Sequence, residues 1–332
     1  MNMTKLLLLF IMMMSSLITV SATNWMGMWM GLEINLMAFI PFISKSKNKN
    51  SSQAMMIYFL TQSLGSITFL FSILLNSMLF TSPLFMEELT KMMIMISLMI
   101  KVGASPFHMW LPEMMSKLNW SECLILMTWQ KLAPLMILSN MIPNNMFVYM
   151  SSILSASAGG VGGLNQTSLR KIMAYSSINH LGWMMLFMSM SSSWYKYLII
   201  YSMMIIMICF LFNMKNSYFI NQINSSSYSM MEKYMYMMMM LSLGGLPPFL
   251  GFLPKWMVIQ TMIKSNLNLV LLTMMLFSLM TLFFYMRMMS SMILSYTTIN
   301  KWNYSNNINK LFMYSILIMN LSLPLFTAFS FF

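Results

Sequence analysis

Two similar stretches of the chain decide how it folds. The first is Gly103-Ala-Ser-Pro-Phe-His-Met-Trp-Leu-Pro112, and the second is Gly245-Leu-Pro-Pro-Phe-Leu-Gly-Phe-Leu-Pro254. Shifted by 142 positions, five of the ten residues are identical. Each stretch interrupts an apolar run, and proline inside a helix removes a hydrogen bond and clashes with the preceding turn. The sequence therefore predicts two broken helices.

The two stretches lie in a chain that carries very little charge. Of its 332 residues, 59% are hydrophobic and 7% are charged, whereas a soluble globular domain is about 25% charged. Apolar runs recur from end to end, and most are about twenty residues long, the length that an α-helix needs to cross ~30 Å of hydrocarbon. The runs do not alternate with period two, as strands of a membrane barrel would. We therefore predict an all-α membrane protein with about eleven transmembrane helices.

The predicted spans cover residues 3–22, 25–43, 54–79, 88–107, 120–140, 146–164, 169–190, 194–213, 233–262, 268–289 and 309–330. The first span resembles a secretory signal, because Lys5 precedes an apolar stretch that ends at Ser21 and Ala22. The second span begins at Trp25 with almost no linker, so we expect the first helix to be retained. The polar segments 214–232 and 290–308 are predicted to be connectors.

The two breaks also predict a repeat. Five spans separate them, and an odd shift places them in opposite orientations across the membrane, which is an inverted-topology repeat. Such breaks persist at membrane depth only where they are buried in protein or line a wet cavity. We predict a single domain over residues 1–332, with repeat halves of about 1–140 and 146–290 and an extra C-terminal helix of about 309–330. The alternative is a coincidence of two proline-rich kinks.

Five ionisable side chains fall inside the predicted spans. They are Glu33, Lys101, Lys131, His180 and Lys255. A charged residue at the centre of a membrane helix costs about 2.5–3.5 kcal/mol on insertion scales. The charged groups must therefore face the bundle interior, pair with one another or lose their charge. Lys101 precedes the first break, Lys255 follows the second, and Pro134 frees a backbone carbonyl near Lys131.

The chemistry of these groups suits proton movement. Desolvation favours the neutral form of a lysine, whereas a nearby carboxylate favours its protonated form. Separating a Glu–Lys pair therefore lets the lysine release its proton. Two alternatives remain open: Lys101 and Lys255 could snorkel toward an interface, and His180 could be a structural histidine. We expect His108 to bond to the backbone that Pro106 frees.

No cofactor or metal motif accompanies the five groups. Cys123 and Cys209 are far apart in the sequence, and there is no C-x-x-C motif or Cys/His cluster, so iron–sulfur and zinc sites find no support. The sequence contains no phosphate loop or catalytic triad pattern. The net charge of +12 does not indicate nucleic-acid binding, because the basic residues lie mainly between the apolar runs.

The 52 methionines indicate a coding bias. An AT-rich genome that reads ATA as Met would raise Met, Ile, Asn, Lys, Phe and Tyr together and lower Ala, Arg, Gly and Asp. That pattern is typical of animal mitochondrial genomes, and an AT-rich bacterium is the alternative. The first interpretation predicts a multi-pass protein of the mitochondrial inner membrane.

Five motifs resemble a known family. They are Gly31-Leu-Glu-Ile-Asn-Leu-Met-Ala-Phe-Ile-Pro41, Lys101-Val-Gly-Ala-Ser-Pro-Phe-His-Met-Trp-Leu-Pro-Glu113, Thr128-Trp-Gln-Lys-Leu-Ala-Pro134, Tyr175-Ser-Ser-Ile-Asn-His-Leu-Gly-Trp183 and Gly244-Gly-Leu-Pro-Pro-Phe-Leu-Gly-Phe-Leu-Pro-Lys-Trp256. Together they resemble chain 2 of mitochondrial NADH:ubiquinone oxidoreductase (respiratory complex I), a family of antiporter-like membrane-arm subunits. Animal members of that family resemble a fourteen-helix ancestor that lost three N-terminal helices, which leaves eleven.

The resemblance implies a role for each ionisable residue. Glu33 would be the partner of Lys101, Lys131 and His180 would form the central relay, and Lys255 would be the exit lysine. This would make the chain a proton-relaying subunit of an H⁺-translocating NADH:ubiquinone reductase, without a redox centre of its own.

The resemblance also implies where the remaining chemistry and the partners lie. NAD, FMN, iron–sulfur clusters and ubiquinone would be bound by other subunits. The partners would be other membrane-arm subunits, including neighbouring antiporter-like ones, and inner-membrane lipids, with no nucleic acid. Two further functions stay open: a stand-alone cation/proton antiporter, and a structural membrane-arm subunit without a proton path.

The distribution of basic residues predicts the topology. With eleven spans, the face that holds the N-terminus receives twelve Lys and Arg residues and the opposite face receives three. Loops rich in Lys and Arg stay on the inner side of a membrane, which for the predicted mitochondrial inner membrane is the matrix. The N-terminus should therefore face the matrix and the C-terminus the intermembrane space. Protease applied from the matrix side should cut the loop of residues 44–52. Cleavage of that loop from the intermembrane side would contradict this topology.

Overall fold

The computed structural model describes residues 3–44, 49–78, 83–141, 146–191, 193–225, 230–294 and 310–324. Within these ranges the regular structure is helical, apart from one isolated antiparallel bridge between Ser168 and Phe219. Helices suit these apolar runs because each helix satisfies its own backbone polar groups, as hydrocarbon requires. The all-α prediction is confirmed.

The first of two compact units spans Met1–Asn145. Its helices are α1 (Met3–Ser21), α2 (Trp25–Ser44), α3 (Lys49–Met78), α4 (Pro83–Val102), α5 (Trp110–Met115), α6 (Trp120–Met127) and α7 (Trp129–Met141). Consecutive long helices pack against each other from α1 to α4, and α7 packs against α1, α2 and α4. The helix that carries Lys131 is therefore enclosed by the helices that carry Glu33 and Lys101.

The second unit spans Met146–Phe332. Its helices are α8 (Met146–Gly162), α9 (Leu169–Met190), α10 (Trp194–Met214), α11 (Ile220–Ser225), α12 (Met230–Gly244), α13 (Phe252–Lys264), α14 (Asn268–Leu294) and α15 (Lys310–Asn320). Helix α9 is buried along nearly its whole length and packs against α8, α10, α13 and α14. A Cβ atom at Gly159 would lie 2.6 Å from the amide nitrogen of Asn179, so glycine is what lets α8 and α9 pack so closely.

Within the described ranges, five helical stretches are long and apolar enough to cross a membrane. They are Met3–Ser21, Trp25–Ser44, Asn50–Asn76, Trp194–Met214 and Asn268–Ser290. Helix α4 is less apolar because it carries two glutamates and two lysines, and the predicted ninth span is divided by its break. The chain is thus a multi-pass membrane protein, and the count of about eleven spans stays a prediction.

Some predicted segments lie partly outside the described residues. They include residues 45–48 of the basic loop, 226–229 and 295–308 of the two connectors, and 325–330 of the last span. The first connector is not wholly irregular, because α11 forms within it.

The first predicted break is present and ends α4 at Val102. Gly103 adopts a φ of +77°, a left-handed conformation that glycine tolerates best. The amide groups of Gly103 and Ala104 both donate to the carbonyl oxygen of Met99, at 2.9 and 3.1 Å. This is a common way to close a helix C-terminus, and the next helix begins only at Trp110.

The second predicted break is closed by a similar turn. Helix α12 ends at Gly244, and Gly245 adopts a φ of +78°. The Gly245 amide donates to Ser242 O at 3.0 Å and the Leu246 amide donates to Leu241 O at 3.3 Å, which is the Schellman pattern. Gly103 and Gly245 therefore have the same structural role, which is to adopt the left-handed conformation that ends a helix. The inverted relation between the two halves stays a prediction.

A third interruption, which the sequence analysis did not predict, lies within the predicted span 120–140. Thr128 separates α6 from α7, and its hydroxyl donates to Leu124 O at 2.8 Å. A threonine that bonds back to the preceding turn bends a helix, and Pro134 further along α7 removes another backbone donor. Lys131 thus stands in the first turn after a bend.

The turn at Gly245 predicts a difference between two neighbouring substitutions. A Cβ atom at Gly245 would lie 2.9 Å from Lys255 Nζ. The backbone of residue 245 is also left-handed, a conformation that costs about 1–2 kcal/mol for a non-glycine residue. At Gly244 the nearest atom would be Leu282 Cγ at 3.6 Å, an ordinary contact. Gly245→Ala should therefore destabilise the fold, whereas Gly244→Ala should not.

The buried thiol of Cys209 offers a measurement in native membranes. The temperature at which Cys209 reacts with a maleimide should fall in the Gly245→Ala variant and stay unchanged in the Gly244→Ala control. Equal reaction temperatures for both variants would show that the left-handed turn is not required.

Candidate functional site

The first unit contains a small polar cavity. Its volume is about 20 Å³, enough for about one water molecule. Lys101 and Lys131 both line it, although they lie on different helices, and they are only 6% and 3% exposed. The other polar side chains around it are Asn35, Tyr58, Gln62 and Gln130. The fold thus brings two of the five predicted site residues to one water-sized space.

The first break positions Lys101. The residue lies in the last turn of α4, where the helix dipole favours a cation. Its ammonium group lies over the ring of Phe69, 5.9 Å from the centroid. A Cβ atom at position 65 would lie 2.9 Å from Lys101 Cγ, so Gly65 makes room for the lysine stem.

Neutral side chains satisfy the carbonyl groups that this break frees. Gln62 Nε2 donates to Lys101 O at 3.0 Å, and Trp110 Nε1 donates to Ile100 O at 3.2 Å. The last carbonyls of a helix have no partner within the helix, and a buried carbonyl without one costs about 1–3 kcal/mol. These two bonds therefore hold the end of α4 in place beside the cavity.

Glu33 lies on α2, partly buried, and interacts electrostatically with both Lys101 and Tyr58. It forms no direct ion pair with Lys101 in the described part of the chain. Its Oε1 atom is buried without a hydrogen-bond partner among the described residues. The carboxylate thus acts on Lys101 through its field at a distance, not through contact.

Three neutral residues form a hydrogen-bond chain along the cavity. The Tyr58 hydroxyl donates to Gln130 Oε1 at 3.3 Å, and Gln130 Nε2 donates to Asn35 Oδ1 at 3.0 Å. Tyr58, Gln62 and Asn35 were not predicted from the sequence as site residues. A usable signal existed, because Tyr58 and Gln62 are spaced one helical turn apart in an apolar helix and therefore share a face.

His180 lies in the middle of α9 and is 7% exposed. Its Nδ1 atom is 2.8 Å from the hydroxyl of Tyr197, and its ring centroid is 4.8 Å from that of Tyr201. Both tyrosines belong to α10, one turn apart. The predicted histidine therefore belongs to a buried group of hydroxyl-bearing rings, which the sequence analysis did not identify.

Lys255 satisfies the second break directly. Its ammonium group donates to Gly244 O at 2.8 Å, so it caps the end of α12 from the start of α13. The stem of the lysine passes Gly245, where any Cβ atom would collide with it. Lys101 thus lies at the C-terminal end of α4, and the ammonium group of Lys255 reaches the C-terminal end of α12, the end of a helix that favours positive charge.

Other ionisable groups form structural pairs. Lys215 and Glu232 form a buried ion pair at 3.0 Å, and Lys5 lies 3.9 Å from the fully buried Glu122. Neither pair was predicted from the sequence. His108 Nδ1 lies 3.3 Å from Pro106 O, as expected. Among the described residues, no group of three His, Cys, Asp or Glu side chains could hold a metal ion.

Comparison with known proteins identifies the family. A family model described as NADH:quinone oxidoreductase/Mrp antiporter, TM, matches residues 22–281, a range that contains both breaks and all five predicted site residues. The chain is 46% identical over 312 residues to NADH-ubiquinone oxidoreductase chain 2 of Locusta migratoria, covering 93% of this chain and 91% of the relative. The chain belongs to this family. The resemblance read from the five motifs is confirmed.

A second relative and a solved structure are also similar to the chain. The chain 2 protein of Anopheles gambiae is 44% identical over 317 residues, covering 94% of this chain and 92% of the relative. Among solved structures, respiratory complex I from Thermus thermophilus with bound aureothin contains a chain with a TM-score of 0.86 and 19% identity, covering 98% of this chain and 79% of that one. At that identity the likeness shows the antiporter-like fold alone.

The bond between His180 and Tyr197 predicts the effect of removing one hydroxyl group. Tyr197→Phe keeps the buried ring and removes the partner of His180 Nδ1, and a lost buried hydrogen bond costs about 1–3 kcal/mol. The temperature at which Cys209 reacts with a maleimide should therefore fall. Tyr195→Phe is a matched control, since Tyr195 lies two residues away and is exposed. Equal shifts in the two variants would show that the bond does not stabilise α9 against α10.

Proposed function

We propose that this chain is a membrane-arm subunit of mitochondrial NADH:ubiquinone oxidoreductase. Its buried Glu, Lys and His residues would relay protons across the inner membrane, coupled to electron transfer from NADH to ubiquinone in other subunits. The main support for a proton relay is the cavity that Lys101 and Lys131 both line. Relatives named NADH-ubiquinone oxidoreductase chain 2, similar over more than nine-tenths of the chain, support the assignment to the complex.

The cavity explains how a proton can pass between two lysines. Two ammonium groups that line one small space repel each other, and the repulsion is strong where protein excludes water. The cavity therefore favours a state in which one lysine is a protonated ammonium group and the other is a neutral amine. Glu33 adds a negative charge that acts on Lys101, so a change in the position or charge of Glu33 would move the proton toward Lys101 or toward Lys131.

The second unit provides two further groups. His180 has an imidazole ring, a group that can pass a proton between its two nitrogen atoms, and its bond to Tyr197 fixes the orientation of the ring. The ammonium group of Lys255 is held at Gly244 O by a hydrogen bond. A neutral amine can still donate that bond, so Lys255 can exchange a proton and stay at the end of α12. We assign His180 to the central relay and Lys255 to the exit.

The same proposal places the remaining parts of the enzyme. NAD, FMN, iron–sulfur clusters and ubiquinone would be bound by other subunits. The neighbours of this chain would be other antiporter-like subunits and inner-membrane lipids. The excess of basic residues on one face supports an N-terminus in the matrix and a C-terminus in the intermembrane space.

Substitutions of Lys131 distinguish a proton relay from a structural cation. Lys131→Met keeps the volume and removes the charge, so the insertion cost disappears and the complex should still assemble. Proton pumping and coupled NADH:ubiquinone turnover should fall by about a hundredfold or more, in the range expected for the loss of a proton-transfer group. The Lys131→Arg variant should also lose proton pumping and coupled turnover, because arginine stays protonated at accessible pH and cannot release a proton.

The measurement is NADH oxidation and proton uptake by the assembled complex in proteoliposomes. Lys264→Met serves as the control, because Lys264 is exposed at the end of α13. Rescue by arginine would indicate a structural cation, and near-normal pumping by the Met variant would remove Lys131 from the path. Full activity of the chain alone, outside the complex, would favour a stand-alone antiporter.

A further inference from the structure

We propose that Tyr58 is a positioning residue that orients one water molecule between Lys101 and Lys131. This inference rests on the proposed proton relay and adds a neutral group that the five predicted residues do not include. Tyr58 lines the same cavity as the two lysines and is 4% exposed. Its ring packs edge-on against Phe39 and Trp110, with centroids 5.0 and 6.2 Å away, so its hydroxyl group is held in one place.

The direction of the Tyr58 hydrogen bond follows from its neighbours. The side-chain nitrogen of Gln130 lies 3.0 Å from Asn35 Oδ1 and 3.5 Å from Met12 Sδ. A thioether sulfur can only accept a hydrogen bond, which decides that the Gln130 nitrogen, and not its oxygen, faces that side. The Gln130 oxygen therefore faces Tyr58, and the hydroxyl hydrogen of Tyr58 is committed to it.

A tyrosine with a committed hydrogen can only accept a further hydrogen bond. Towards the cavity, Tyr58 therefore presents a lone pair and not a hydrogen. The cavity volume of about 20 Å³ suits one water molecule, and a buried water typically makes about three hydrogen bonds. Those three partners are a protonated lysine that donates, the Tyr58 oxygen that accepts and a neutral lysine that accepts.

This arrangement defines the proton step. The water accepts a proton from the ammonium group of Lys101 and passes one of its own protons to the neutral amine of Lys131. One N–H bond breaks, one N–H bond forms, and the water is regenerated. Tyr58 neither gains nor loses a proton, since it only holds the second O–H group of the water away from the transfer. A water without that anchor turns freely and spends less time aligned with both nitrogen atoms.

Two substitutions test the chain of hydrogen bonds. Tyr58→Phe keeps the ring contacts and removes the acceptor, and Asn35→Leu removes the group that orients Gln130. Each should lower coupled turnover and proton uptake by about tenfold, which corresponds to about 1.4 kcal/mol in the barrier. The solvent deuterium isotope effect should rise in both, because proton transfer becomes rate-limiting. Turnover and proton uptake are expressed per assembled complex, so that any loss of stability from the missing hydrogen bond is separated from the loss of activity.

The double variant shows whether the residues act as one unit. If Asn35 acts through Gln130 on Tyr58, combining the two substitutions should be no worse than either alone. Tyr149→Phe is the matched control, because Tyr149 is another buried tyrosine and lies outside this cavity. All variants are measured in the assembled complex in proteoliposomes, beside Lys131→Met.

The outcomes separate this inference from the proposed function. If Lys131→Met abolishes pumping and Tyr58→Phe does not lower it, the relay stands and the role of Tyr58 is overturned. An unchanged isotope effect, or losses that multiply to about a hundredfold in the double variant, would also overturn it. If Lys131→Met pumps normally, the relay itself fails, whatever the result for Tyr58.

Discussion

The fold depends on one constraint: a backbone carbonyl in hydrocarbon must find a donor within the protein. An unbroken helix meets this demand alone, but the two glycine–proline stretches end α4 and α12 early. The carbonyl groups freed there bind Gln62, Trp110 and Lys255. The side chains that repair each break are therefore held at the break with fixed geometry. In this chain they are also the side chains of the candidate site.

The broken ends also explain where the lysines can remain. A helix C-terminus carries partial negative charge. Lys101 lies at the C-terminal end of α4, and the ammonium group of Lys255 contacts the C-terminal end of α12. A lysine at the middle of a continuous helix has no comparable compensation. Lys131 is the contrasting case, because it follows the bend at Thr128 and lies in the turn that Pro134 disrupts. Each of these three lysines thus coincides with an irregularity in its own or an adjacent helix.

The cavity in the first unit is small and has a largely polar interior. Its neutral polar side chains are amides and a phenol. They bond to one another and to backbone groups, so their donor groups have defined directions. That order matters for proton movement, because a water molecule transfers a proton only along the hydrogen bonds that it makes. The carboxylate of Glu33 acts on this group through its field without contact, and such an influence can change while the hydrogen-bond chain stays intact.

The sequence by itself determined the helical class, both breaks, the five ionisable residues and the family. These features depend on local chemistry: apolar length, the glycine and proline at each break, and charges within apolar runs. It did not reveal the bend at Thr128, the pairs of Lys215 with Glu232 and of His180 with Tyr197, or the bonds that join Tyr58 to Gln130 and Gln130 to Asn35. The last two bonds connect residues 72 and 95 positions apart. Side chains that far apart meet only when helices pack, and helical periodicity within one segment does not specify which neighbouring helix a face will contact. The common cavity of Lys101 and Lys131 was decided by tertiary structure for the same reason.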